Sequence, residues 1–210
     1  LFYSTFHLFL LTIRMLAEIL KNKKIVLGSA SPRRQELLKL LAVDFEIRLS
    51  NVDEQFDERL PTEEIAEFLA KQKSEALKNT IRKNEILITA DTIVAKEGRV
   101  LNKPNNEKEA IEMLSFLSNN SHEVMTGVCI SSAEKSISFS VNTKVFFKKL
   151  SAEEINFYIK NYKPFDKAGA YGIQEWIGLI GIEEIQGSYF NVVGLPMQKL
   201  YQNLIQFVTD

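Results

Sequence analysis

Two neighbouring arginines stand where the sequence predicts the start of a helix, a position that favours acidic side chains. Ser31 followed by Pro32 is a typical helix start with a serine N-cap. Arg33 and Arg34 then lie in the first helical turn, where the helix dipole makes each cation unfavourable by about 0.3 to 1 kcal/mol. A bound anion would reverse that effect, and the Ser29 hydroxyl and the free amides of the turn would add donors, so phosphate binding is one of two equally supported interpretations of the pattern. A solvated arginine pair on an ordinary capped helix remains the alternative.

A carboxylate, Asp91, directly follows the apolar residues 86–90, which predict a buried strand. A carboxylate at the end of a strand in an α/β sheet faces a crevice rather than bulk water. We therefore expect Asp91, with Thr92 beside it, at a functional site. An aspartate that caps a turn is the commoner role of a lone carboxylate and stays open as the alternative.

A lysine interrupts the apolar side of the helix predicted over residues 62–79. Lys73 lies four residues beyond Leu69, on the same side as Ile65 and Leu77. Lysines at such positions usually extend their stems along apolar surface. Alternatively, the helix places the Lys73 ammonium group in a cleft.

Two loop features are uninformative alone. Asp53 and Glu54 form an acidic turn, which is normally solvated, although hard carboxylates also suit Mg²⁺. Lys103 precedes Pro104, which holds it in an extended conformation.

The glycine-rich segment 166–174 predicts a loop that a ligand can approach closely. Gly169 and Gly172 permit close approach of the backbone. Gln174 presents both a donor and an acceptor, the combination that can bind the O4 and N3–H edge of uracil or thymine. Lys167 adds a positive charge to the same loop. A glycine-rich turn with an exposed amide is the simpler interpretation.

Length and composition limit the class of protein. At 210 residues the chain can bury about 70% of its unfolded surface, so we expect a single domain over residues 25–210. Its net charge of −1 argues against general nucleic-acid binding, although a triphosphate needs only a local cationic cluster. The single Cys129 cannot form an internal disulfide and indicates a reducing compartment, so we expect a cytoplasmic protein.

The N-terminal residues 1–24 precede the first strand and are predicted to be an extension. Residues 1–14 are apolar, but they lack a cleavage site and end before the about 20 residues that a bilayer requires. We expect no membrane span there, and we expect residues 1–14 to be upstream or non-native sequence. Met15 would begin a short amphipathic helix.

The remaining patterns predict alternating strands and helices, hence an α/β fold with long antiparallel strands. Predicted strands cover residues 25–27, 45–49, 86–90, 122–132 and 137–147, with a hairpin through Glu97 and Gly98 and further strands near 177–185. Further helices are predicted after the caps Asn106 and Ser151, and the last one starts at Pro196.

These motifs resemble, in order, those of the Maf family of nucleoside triphosphate pyrophosphatases, once named as septum-formation inhibitors. The blocks are S-x-S-P-R-R-x-x-L-L at 29–38, A-D-T at 90–92, N-K-P at 102–104, D-K-A-G-A-Y-G-I-Q at 166–174, and a last block at 187–196. They span nearly everything after Lys24.

The resemblance implies an elongated mixed β-sheet flanked by helices, with two lobes and a central cleft. It implies that the A-D-T aspartate, Asp91, is catalytic and that Glu54, Lys73 and Lys103 line the active site. The unaltered G-A-Y-G-I-Q block resembles the branch that acts on dTTP and UTP. It also implies a divalent metal and makes a homodimer plausible, and His122 matches a family histidine for which we expect a structural role.

We therefore expect hydrolysis of dTTP and UTP to the monophosphate and pyrophosphate by metal-assisted attack of water. Asp91 would be catalytic, and Mg²⁺ or Mn²⁺ would bind Glu54 and Asp91. The expected substrate-binding residues are Ser29, Ser31, Arg33, Arg34, Lys73, Thr92, Lys103, Lys167 and Gln174.

Three questions stay open at this point. Asp91 could act as a base or as a metal ligand, and Arg34 could turn outward because neighbouring helical residues differ by about 100°. The alternative functions are a pyrophosphatase for 7-methyl-GTP or non-standard nucleotides, and a non-catalytic nucleotide-binding protein that regulates division.

Overall fold

The computed structural model describes Leu16 and residues 18–52, 54–57 and 59–210. The expectations for residues 1–14, Met15 and Asp53 lie outside the described residues. Leu16 and Leu20 are buried in the main hydrophobic core. The core therefore includes side chains from before residue 25.

A mixed sheet of seven strands organises the described part of the chain. The strands are β1 (Lys24–Leu27), β2 (Phe45–Ile47), β3 (Glu85–Lys96), β4 (Arg99–Leu101), β5 (Ser121–Ser131), β6 (Ser136–Phe147) and β7 (Ile182–Gln186). They lie in the order β2-β1-β3-β5-β6-β7, and β4 also pairs with β3. β1 is parallel to β2 and β3, whereas the other pairs are antiparallel. The predicted mixed α/β class is confirmed.

Helices cover both faces of this sheet. They are α1 (Pro32–Lys39), α2 (Thr62–Leu77), α3 (Glu107–Leu117), α4 (Ala152–Tyr162), α5 (Trp176–Gly181), α6 (Tyr189–Val193) and α7 (Met197–Thr209), with 3₁₀ turns at Lys78–Thr80 and Ala168–Ala170. The predicted N-caps Ser31, Asn106 and Ser151 each accept a backbone N–H, as expected. Among the helices described here, none combines the length and apolarity needed to cross a bilayer.

The two faces of the sheet belong to different clusters of buried side chains. On one face, Ile65 and Leu69 of α2 pack with Ile93 and Met125. On the other face, buried side chains of α1, α3, α4 and α7 pack with Ile88 and its neighbours in the largest core. Residues along β3 alternate between these faces, as the pleat of a strand requires.

The predicted end of the third strand at Ala90 is wrong. β3 continues to Lys96, and it pairs with β5 without interruption from Leu87 to Ala95. Asp91 therefore lies within the strand, opposite Gly127, rather than at its end. The predicted hairpin is confirmed, and positive φ angles at Glu97 and Gly98 are those of a two-residue type I′ turn.

The strands expected near residues 177–185 are replaced in part by a helix. α5 occupies Trp176–Gly181, and only Ile182–Gln186 form β7. Ile177 and Gly181, four residues apart, are buried, whereas Leu179 is 80% exposed, which is helical spacing. A short apolar run cannot distinguish a helix from a strand without such contacts. The strand expected over 45–49 is also shorter, ending at Ile47.

Candidate active site

The candidate site opens at a gap among the partners of β3. On the edge opposite β5, β1 pairs with β3 up to Ile88, and β4 pairs with it from Val94. Residues 89–93 have no strand partner on this edge within the described chain. The chain leaves the sheet after β1, and the resulting crevice is part of a cavity of about 660 Å³.

Asp91 and Thr92 lie at this gap but on opposite faces of the sheet. Asp91 faces α2, where it pairs with Lys73. Thr92 faces α1, where its hydroxyl accepts a hydrogen bond from Arg34. Successive side chains of a strand alternate in this way. The A-D-T motif therefore serves both faces at one position of the sheet.

Arg34 fills the gap on the α1 side. Its guanidinium donates to the buried carbonyl oxygens of Ala90 at 2.9 Å and Gly194 at 2.8 Å, and to the hydroxyls of Ser29 at 3.2 Å and Thr92 at 2.9 Å. The Ala90 carbonyl faces the same edge as that of Ile88, which accepts the Gly28 amide, so Arg34 takes the place of a missing strand. The possibility that Arg34 turns outward is wrong.

The Thr92 hydroxyl has its proton and one acceptor position in use within the protein. The Thr126 hydroxyl donates its single proton to the Asn191 carbonyl oxygen at 2.9 Å. The 3.0 Å contact between the two threonine hydroxyls must therefore use the proton of Thr92. Thr92 accepts from Arg34 and donates to Thr126, which favours a supporting role over direct contact with a ligand.

Arg33 is the more accessible arginine. Its side chain is 29% exposed and donates to Asp166 Oδ2 at 3.1 Å, and both residues line the cavity. Partial removal from water raises the pKa of Asp166, but its pairs with Lys167 and then Arg33 outweigh that effect and keep the pKa below its usual range. Because an exposed ion pair is worth only about 0 to 1 kcal/mol, Arg33 can exchange Asp166 for a phosphate at little cost.

Close approach of α2 to the sheet brings Lys73 over Asp91. A Cβ atom at Gly127 would lie 2.2 Å from backbone atoms of Ala66, so only glycine leaves room for α2 here. Lys73 follows Ala66 by seven residues, two turns along the same helix face. Since Gly127 is paired with Asp91, this close approach of α2 to the sheet occurs at the strand position whose carboxylate Lys73 reaches.

The Lys73 ammonium binds two carboxylates at once. It donates to Asp91 in a short hydrogen bond, and it lies 2.8 Å from Glu54 Oε1. Partial removal from water raises the pKa of Glu54, but the hydrogen bond and charge of Lys73, with the charges of Lys103 and Arg34, outweigh it and leave that pKa below its usual value. Glu54 is thus held as a carboxylate, and it converges with Asp91 on a single cation.

These two carboxylates could hold a divalent metal only together with further ligands. Within the described ranges, no group of three or more His, Cys, Asp or Glu side chains is arranged to bind a metal. Mg²⁺, however, typically binds one or two carboxylates and completes its shell with water and substrate phosphate oxygens. Glu54 and Asp91 fit that pattern, because both reach the position of one ammonium group.

The loop 166–174 also lines the cavity, and it carries Gln174. Gln174 is exposed to the cavity. Lys167 is 8% exposed, and its ammonium is 2.6 Å from Asp166 Oδ1 and 3.1 Å from Glu175 Oε1. Its charge is therefore already balanced, which favours support of the loop over direct binding of phosphate.

The structure brings all the predicted site residues to one cavity. Its lining includes Ser29, Ser31, Arg33, Arg34, Glu54, Lys73, Asp91, Thr92, Lys103, Lys167 and Gln174. Ser31 also caps α1, and Lys103 is exposed. Sequence reasoning missed Asp166 as the partner of Arg33 and the Gly194 carbonyl as a partner of Arg34. Both lie in the recognised motif blocks, but only folding pairs them with α1.

His122 has the structural position that was expected. It is 2% exposed, its Nε2 lies 2.7 Å from the Tyr171 hydroxyl, and its ring packs edge-on against Phe147. Burial, with a smaller contribution from the charge of Lys96, lowers the pKa of His122 to about 3, so the ring is neutral.

Comparison with known proteins gives consistent matches over most of the chain. The family model described as Maf-like protein matches residues 24–207. A Parabacteroides distasonis protein named dTTP/UTP pyrophosphatase is 53% identical over 191 residues, covering 90% of this chain and 99% of that protein. A Christiangramia forsetii protein of the same name is 50% identical over 196 residues, covering 93% of this chain and all of that protein, 100%.

Among solved structures, the Staphylococcus aureus Ham1 protein matches with a TM-score of 0.40 and 20% sequence identity, covering 60% of this chain and 72% of that chain. This likeness is too distant to support an inference. The family match spans nearly the whole described region, including every residue of the cavity named above. The chain therefore belongs to the Maf-like protein family.

Proposed function

We propose that this chain is a nucleoside triphosphate pyrophosphatase that hydrolyses dTTP and UTP to the monophosphate and pyrophosphate. One observation carries the proposal. A single cavity contains a cationic helix start, two carboxylates that converge on Lys73, and a loop that presents Gln174. The relatives that are about half identical over most of the chain bear the name of this activity.

Phosphate binding is assigned to the cationic side of the cavity. Arg33 exchanges Asp166 for phosphate oxygens at the start of α1, where the helix dipole also favours an anion. Lys73 and Lys103 supply further positive charge. Transfer of a phosphoryl-type group needs mainly positioning and charge neutralisation, so these cations account for much of the expected catalysis.

Asp91 is assigned to the attacking water. Its carboxylate lies 8% exposed at the gap in β3, where it can orient a water molecule and accept its proton as the new phosphorus–oxygen bond forms and pyrophosphate leaves. Mg²⁺ or Mn²⁺ would be held by Glu54 and Asp91, once Lys73 has turned from them toward phosphate. When bound, the cation neutralises negative charge on the phosphate oxygens.

The substitution Asp91→Asn tests this assignment. The side chain keeps its shape, and Lys73 keeps Glu54 as a partner, so the fold should persist. Loss of the carboxylate should lower kcat by about 10² to 10⁴, whereas dTTP binding, through the cationic residues, should remain. Pyrophosphate release and equilibrium binding of dTTP with Mg²⁺ are measured on the same preparation.

Asp44→Asn is the matched control, because Asp44 is exposed and lies outside the cavity. Turnover by Asp91→Asn within a few-fold of this control would remove Asp91 from the mechanism. A panel of nucleotides that includes dTTP, UTP, 7-methyl-GTP and a non-standard purine triphosphate tests the base preference. Wild-type turnover led by a purine nucleotide would refute the pyrimidine assignment.

A further inference from the structure

A buried polar cluster holds the loop 166–174 from behind the cavity. Lys167 pairs with Glu175 at 3.1 Å, and Glu175 Oε2 accepts a short hydrogen bond from the Tyr158 hydroxyl. The same hydroxyl accepts the backbone N–H of Gly172 at 3.0 Å. Tyr158 belongs to α4, is 0% exposed and is not part of the cavity lining. The cluster therefore joins the loop to a helix outside the site.

The two contacts of Tyr158 lie on either side of Gln174 in the chain. Gly172 precedes Gln174 by two residues, and Glu175 follows it directly. A further backbone hydrogen bond from the Glu175 amide to the Gly172 carbonyl, at 3.0 Å, closes this turn. One hydroxyl thus fixes both ends of the four-residue segment that presents the Gln174 amide.

The cluster is packed without spare room. A Cβ atom at Gly172 would lie 2.9 Å from Glu175 Cδ and 3.1 Å from Lys167 Cε. The Glu175 carboxylate and the end of the Lys167 stem therefore lie directly against the loop backbone. Since the Tyr158 hydroxyl has both its proton and an acceptor position in use, its removal leaves the Gly172 amide and one carboxylate oxygen without this partner.

The cluster also continues to the phosphate side of the cavity. Lys167 pairs with Asp166, and Asp166 pairs with Arg33 of α1. A line of ion pairs and hydrogen bonds thus runs from the helix start to Tyr158. The Arg33 end is exposed and exchangeable, whereas the Tyr158 end is buried, so the loop is anchored at the Tyr158 end.

We propose that Tyr158 is a positioning residue for base selection, which holds the Gln174 amide in register with the edge of a pyrimidine base. This inference rests on the proposed function and extends it to a residue that does not touch the substrate. A site that selects by hydrogen bonds discriminates only if its donor and acceptor are held in place. Loosening the Gln174 segment should therefore reduce selectivity more than it reduces phosphate chemistry.

The substitution Tyr158→Phe tests the proposal, because it removes one oxygen atom and keeps the ring. The values of kcat and KM are measured for dTTP, UTP, dCTP and dGTP by pyrophosphate release. We expect kcat/KM for dTTP and UTP to fall about tenfold, as for a catalytic-site group that is displaced by a fraction of an ångström, and that for dGTP to change less than about twofold. The ratio between nucleotides is independent of the fraction of active protein, so partial unfolding alone cannot alter it.

Tyr162→Phe is the matched control. Tyr162 lies one turn farther along α4, its ring stacks on that of Tyr158 at 5.2 Å, and it is 39% exposed. It undergoes the same chemical change next to the cluster and should keep the wild-type preference. If Tyr158→Phe does not fold, Glu175→Asp replaces it, because the shorter side chain withdraws the carboxylate from Tyr158 and keeps the charge. The ratio of kcat/KM for dTTP or UTP to that for dGTP must then fall as well.

Two results would overturn the inference, and they differ from each other. A wild-type enzyme that prefers pyrimidines and a folded Tyr158→Phe variant with the same preference would refute the role of Tyr158 and leave the proposed function intact. A wild-type protein that releases no pyrophosphate from any nucleotide would refute the proposed function and the inference with it.

Discussion

The two arginines at the start of α1 should respond in opposite ways to the same substitution. Arg33→Ala removes an exposed ion pair to Asp166, worth about 0 to 1 kcal/mol, and relieves an unfavourable charge at the helix start of about 0.3 to 1 kcal/mol. These terms nearly cancel, so Tm should stay within about 2 °C of wild type. Loss of phosphate binding should lower kcat/KM at least about tenfold, or about 1.4 kcal/mol.

Arg34→Ala should instead unfold the protein at a lower temperature. It takes hydrogen-bond donors from the buried carbonyls of Ala90 and Gly194, each of which costs about 1 to 3 kcal/mol when left unpaired. For a chain of this size about 2 to 4 °C corresponds to each kcal/mol, so Tm should fall by at least about 4 °C. Arg34→Lys should rescue little, because the guanidinium reaches the two carbonyls and Thr92 from three separate nitrogens, whereas lysine offers only one.

The assay combines thermal unfolding with pyrophosphate-release kinetics on both variants prepared in parallel. Equal losses of Tm for Arg33→Ala and Arg34→Ala would refute the separation into one exchangeable and one structural arginine. Unchanged kinetics with a lower Tm for Arg33→Ala would return Arg33 to a purely structural role.

Two further substitutions test other parts of the molecule. Gln174→Glu keeps the size of the side chain but removes its amide donor, so turnover of dTTP and UTP should fall far more than that of dGTP; an equal fall for all nucleotides would show that Gln174 only supports the loop. At the other end of the sheet, a hydrogen-bonded pair with Arg48 lowers the pKa of the buried Glu85 to about 2 despite the opposing effect of burial. This pair therefore stabilises the fold above about pH 4.5 and loses its effect as the pH falls toward 2. Urea unfolding should show Glu85→Gln less stable than wild type by about 2 to 3 kcal/mol at pH 7 and by less than half of that at pH 3, and a difference that does not depend on pH would contradict the assignment.

Local signals in the sequence were sufficient for the helix starts and turns. The cap and proline at Ser31 and Pro32, and the hairpin at Glu97 and Gly98, depend on backbone geometry within a few residues. The candidate residues could likewise be named in advance, because their types and motif spacing carry the chemistry. Such features need no knowledge of which elements meet in space.

The end of β3 and the direction of the Arg34 side chain could be established only from the tertiary structure. β3 continues past Asp91 because β5 pairs with it throughout, although the sequence there resembles a strand end. The direction of Arg34 depends on the missing strand partner at Ala90, a property of the sheet and not of α1. The local sequence of α1 cannot show that a backbone carbonyl of a distant strand lacks a strand partner.

Residue types and their spacing along the chain indicate which side chains are available for phosphate, metal and base recognition, and where most helices begin. Which of those side chains are free to act depends on how the elements pack. Gly127 admits α2 close enough for Lys73 to reach Asp91, and Tyr158 fixes a loop from a helix that no motif includes. Both contacts join residues far apart in the chain. They stabilise the fold only once the elements have packed together, so a local sequence pattern cannot reveal them.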